Sequence, residues 1–199
     1  RAELEQSLAL ALAGGFEEHA ARAYVNLSYD AVMQMRFPAA LDWFERGIAY
    51  CDARDLDAWT RYMSAYQASA WFALGEWQRA ADQAELTLQS PGLAPISRIA
   101  ALTVLAHVRV RRGDPDALPL LDEAMRLALP TRSLPRIAPA IAARLEAARL
   151  RDDREACLEA VAPLAALDRR SRYCDWALAE IACQLRLAGI ADEPPADCP

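Results

Sequence analysis

Two histidines, five cysteines and a few acidic pairs hold most of the reactive chemistry in these 199 residues. His19 and His107 stand about 90 residues apart, and no CxxC or HExxH sets two ligands on one turn, so no metal site is expected. A phosphate-cradling GxxxxGK[ST] loop is missing, and so is a GxSxG nucleophile elbow. The pairs Glu17-Glu18, Asp122-Glu123 and Asp152-Asp153 fall in expected first turns of helices, where negative charge offsets the positive helix end. The reading is a non-catalytic chain with no cofactor.

Charge points the same way. The net charge is −6, and all 22 basic residues are arginines spread along helix faces with acidic neighbours. That pattern lacks the one-sided basic stripe of a nucleic-acid footprint, so no direct nucleic-acid binding is expected. The densest run, Arg109, Arg111 and Arg112, closes a helix, where cations favour the macrodipole. An odd number of cysteines without a disulfide spacing suits free thiols in a reducing compartment such as the cytoplasm. Neither a run of eighteen apolar residues nor a signal-peptide pattern occurs.

The elements that would carry any site repeat about every forty residues. Four stretches show it: MRFPAALDWFERGI (35–48), GEWQRAADQAELTL (75–88), GDPDALPLLDEAM (113–125) and DDREACLEAVAPL (152–164). A small residue opens the second helix of each unit, at Ala40, Ala80, Ala117 and Ala156, in steps of 40, 37 and 39 residues. Apolar positions follow at Phe44, Ala84, Leu121 and Ala160, then at Ile48, Leu88, Met125 and Leu164, which makes one stripe at helical spacing. Phe37 and Trp77 precede two of the alanines and would plug the gap between paired helices. Trp43, Trp71, Trp77 and Trp176 read as core.

No unit buries its stripe alone, so neighbours must stack. The expected fold is all-α, a right-handed α-solenoid of antiparallel helix pairs. Its ten helices are expected near 1–13, 17–35, 38–53, 57–74, 76–90, 95–112, 115–129, 134–150, 153–167 and 170–188. They form one domain over 1–190, with units near 17–53, 57–90, 95–129 and 134–167, partial units at both ends and a Pro-rich tail at 191–199. Gly15, Gly75, Gly113 and Gly189 mark helix ends that need positive φ, and Pro163 should bend or shorten its helix. The opening helix, with Leu4, Leu8 and Leu12 in a stripe, reads as half of a unit, as if the segment came from a longer array.

The stretch from Tyr24 to Ala31, followed by Phe37, Ala40 and Phe44, resembles tetratricopeptide-type repeats. It departs from them in having Ala31 at a usual tyrosine place and a period nearer forty than thirty-four, which implies longer helices. The phrase from Arg109 to Ala117 with Leu121 to Ala124, then Ala138-Pro139 before the helix of Arg144 to Ala148, is similar to the C-terminal helical-repeat region of large ATP-dependent bacterial regulators of the LuxR and MalT type. The stretch from Tyr173 to Glu180 is similar to the same region. Such repeats also follow ATPase modules joined to nucleotide-cyclase domains. The resemblance implies a sensor or scaffold beside an ATPase and an output domain.

A ligand peptide, a small effector or an adjacent domain would then meet the first helices of the units. Arg22, Asn26 and Tyr29, Tyr62 and Tyr66, and Thr103 and His107 are the residues expected there. A generic protein-protein scaffold without a small ligand is the alternative, and exposed repeat ends allow a homo-oligomer.

Overall fold

The computed structural model describes residues 2–167 and 175–190, with side chains of the last segment from Ala177 onward. The expected tail, the expected start of the last helix near 170 and the side chain of Trp176 lie outside these residues. Among the described residues there are ten α-helices and no strand: α1 Ala2–Ala13, α2 Glu17–Met33, α3 Phe37–Asp52, α4 Asp57–Ala73, α5 Trp77–Leu88, α6 Pro95–Arg112, α7 Ala117–Ala128, α8 Leu134–Leu150, α9 Arg154–Val161 and α10 Asp175–Leu187. Pro163 acts as expected: α9 stops at Val161, and the chain tightens into a 3-10 turn over Ala162–Ala166. Asp122 and Glu123 stand in the second turn of α7, not the first, because that helix begins only at Ala117.

The chain divides into two compact units, Arg1–Val104 and Leu105–Pro199. In the first, α1 packs on α2, α2 on α3, α3 on α4 and α4 on α5. In the second, α8 packs against α7, α9 and α10. Small residues set the crossings: Ala40, Ala80 and Ala117 are buried, as the spacing predicts. Ala156 is only half-buried, and Cys157 occupies the crossing instead. The reason is the cap. Asp153 accepts the Ala156 N–H at 3.0 Å, which makes Cys157 the fourth helical residue, the place that Ala40 and Ala80 hold in α3 and α5.

Two other apolar expectations change. Leu8 and Ala11 are buried and Leu4 packs beside them, but Leu12 turns outward at 42% exposure, since four-residue spacing drifts around a helix with 3.6 residues per turn. Trp77 is exposed and lies stacked on Phe72, whereas Phe37 packs against the core of the first unit.

A shared stop ends the helices. Residues at positive φ stand at Gly15, Met35, Asp55 and Gly75, one every twenty residues. Each is followed by an N–H that reaches back to a carbonyl in the last turn, as in Arg36 to Ala31 at 2.8 Å and Glu76 to Trp71 at 3.0 Å. This is the Schellman closure, and the residue after the left-handed one is already the N-cap of the next helix. Glycine signals two of these stops. Met35 and Asp55 take the same turn without it, so glycine marks only alternate helix ends here.

Candidate functional site

In the first unit, α2 and α4 lie side by side. Arg22 and Asn26 are exposed on α2, with half-buried Tyr29 further along the same face. From α4 come Tyr62 and Tyr66, both half-buried. The Tyr29 and Tyr66 rings meet edge to face with centroids 6.4 Å apart, and Tyr62 lies 4.7 Å from Tyr66. Aromatic rings at these separations hold one another in place. Beside them, the Trp59 indole N–H donates to Glu18 of α2. The five expected residues of the first two units therefore form one polar and aromatic face.

Thr103 and His107 do not extend it. Both are buried, and the Thr103 hydroxyl donates to the Ile99 carbonyl at 2.8 Å, a bond that ties it to its own helix. His107 belongs to a second arrangement, inside the second unit. Its Nε2 lies 3.4 Å from Oε2 of Glu146, which is itself buried on α8. Arg111, one turn beyond His107 on α6, donates through Nε to Oε1 of Glu146 at 3.0 Å and through Nη2 to Oε2 at 3.3 Å. Glu180 of α10 completes the group: one ligand atom from each of His107, Glu146 and Glu180 lies within 4.8 Å of the others.

Burial decides the electrostatics. It pushes the His107 imidazole down to about 3, with the Arg111 guanidinium adding to the effect, so the ring is neutral at physiological pH. Burial likewise raises the Glu180 carboxyl above its ordinary range, the Glu146 carboxylate adds to this and Arg111 opposes it. A bidentate guanidinium matches one carboxylate.

No protein-family model, curated protein or solved structure matches this chain.

Glu146, Arg111 and Glu180 were missed as site residues because local spacing was the search rule. Several polar partners stand 35 to 41 residues apart, close to one repeat. Arg111 and Glu146, Arg149 and Gln184, and Arg154 and the Gly189 carbonyl are each separated by 35 residues, while Trp59 and Glu18 are separated by 41. Complementary polar residues about one repeat apart are the signal that points to His107, Arg111 and Glu146. Three arginines of the first unit lie over aromatic rings: Arg46 over Trp43, Arg54 over Tyr50 and Arg79 over Trp71, at 3.5 to 4.3 Å from the ring centroids.

Proposed function

We propose that this chain is a non-catalytic interaction module, a right-handed tetratricopeptide-like stack that regulates a larger ATP-dependent transcriptional regulator. It would bind an effector or an adjacent domain on the face of α2 and α4. The observation that carries the reading is the face itself: Tyr29 of one helix and Tyr62 of the next both pack on Tyr66, bordered by an exposed guanidinium and an exposed amide. Such a surface is pre-organised, because the rings lose little freedom when a partner arrives. The Asn26 amide both donates and accepts, which matches a peptide group, and Arg22 suits a carboxylate.

The test has two arms. The complete reading frame is expected to encode a P-loop ATPase upstream and a helix-turn-helix downstream; a frame with neither rejects the regulator and leaves the general scaffold. In the full protein, Arg22→Ala combined with Asn26→Ala should leave the melting temperature within a degree and change the effector response of the output at least severalfold. An unchanged response would remove α2 and α4 as the binding face.

A further inference from the structure

We propose that His107, Glu146 and Glu180 form a binding site for a divalent transition-metal ion of the zinc type. The donors come from α6, α8 and α10, one side chain each, and all three ligand atoms fall within 4.8 Å of one another. Bonds of about 2.0 to 2.1 Å around a tetrahedral ion place its ligands roughly 3.4 Å apart. His107 Nε2 and Glu146 Oε2 already stand at 3.4 Å. A side-chain adjustment of at most about 1.4 Å at Glu180 would bring in the third ligand.

The surroundings favour the ion. Arg111 makes its shorter bond to Glu146 Oε1 and so turns Oε2 toward His107, the outer-shell role that orients a ligating carboxylate. Two carboxylate oxygens lie within 4.8 Å of each other here, and a dication would offset their repulsion. Glu180 is only half-buried, so its side of the group admits a water as fourth ligand. One imidazole nitrogen with two carboxylate oxygens suits zinc; calcium and magnesium require more oxygen ligands than this group holds.

The ion would clip three helices of the second unit together, so binding should register in stability as well as in affinity. The experiment titrates zinc into chelator-treated full-length chain in which Cys174, Cys183 and Cys198 are replaced by serine, removing thiols that would compete. The expected result is one ion per chain, bound at micromolar concentration or tighter, with a melting temperature raised by several degrees. Glu180→Gln and His107→Asn should each weaken binding at least tenfold. Cobalt, used as a spectroscopic probe on the same protein, should give the intense visible bands of a four-coordinate site without a thiolate charge-transfer band. That arm needs no variant at the group itself, so it stands even if one of them fails to fold. Zinc affinity unchanged in Glu180→Gln, no thermal shift with zinc, or weak six-coordinate cobalt bands would each overturn the proposal and leave the group a buried ion pair that shares a proton.

Discussion

Gly47 lies in the middle of α3, between two helices, and replacing it with alanine sets two opposing effects against each other. A methyl built there would stand 2.6 Å from Met63 Sδ of α4 and 2.9 Å from Tyr24 Cβ of α2. Alanine is the better helix former by about 1 kcal/mol, and overpacking a core typically costs about 1 to 3 kcal/mol. Met63 could swing its thioether aside, but it is fully buried and any swing displaces other core atoms. Tyr24 Cβ is fixed to the α2 backbone, so relief there requires the two helices to part. The expected net effect of Gly47→Ala is therefore a loss of about 1 to 2 kcal/mol, a fall in melting temperature of roughly 2 to 6 °C. Thermal and urea unfolding followed by circular dichroism would measure it. Ala49→Gly, at an exposed position of the same helix, isolates propensity and should cost about 1 kcal/mol. If Gly47→Ala melts at or above the parent while Ala49→Gly melts below it, α3 does not approach α2 and α4 this closely.

Ala80→Asp should cost about 3 kcal/mol or more in the same assay, because Ala80 is fully buried and a carboxylate there is both oversized and unpaired. Ala156→Asp should cost less than about 1 kcal/mol, since Ala156 is half-buried in the first turn of α9, where an acid suits the helix end; equal losses would show that the crossing is misplaced. Met35→Gly should stabilise by about 0.5 to 1 kcal/mol, because Met35 holds φ at 55° while its side chain is 63% exposed, and a lower melting temperature would refute that. Burial, with Asp52 and Glu18 adding and Arg54 opposing, pushes the Cys51 thiol from 9.0 up to about 11. Between those values the unfolded thiol ionises and the folded one does not, so stability should fall as pH rises past 9, by up to about 1.4 kcal/mol per pH unit. Cys51→Ala should flatten that fall, and identical slopes in the two proteins would refute the burial argument.

Helix placement was legible because its signals are local. Apolar stripes, glycine stops and Pro163 all act within a turn or two, and α6 and α8 begin and end where the pattern predicts. Cap chemistry was less legible: whether Ala156 or Cys157 faces the neighbour depends on which of Asp152 and Asp153 caps the helix, and the two are alike in type. Met35 and Asp55 carry a left-handed turn that their side chains do not announce. Exposure was the least legible property, since it depends on what covers a helix face rather than on the face itself.

The repeat register shows why exposure escapes a local reading. Counted from its own first residue, the thirteenth position of α2, α4, α6 and α8 is Tyr29, Ser69, His107 and Glu146, in steps of 40, 38 and 39 residues. Tyr29 and His107 thus hold corresponding places in register. Their fates differ because of their neighbours. Tyr29 meets the rings of α4 and stays half-exposed, whereas His107 and Glu146 are buried together with Glu180 of α10 beside them. Equivalent positions on successive first helices thus form an aromatic surface in one unit and a buried polar group in the other. Burial raises the energetic stakes of the second case, because a charge out of water requires a partner with matching geometry. Arg111 supplies that partner for Glu146. Beside it, Glu180 is where the proposed metal ion would find its third ligand.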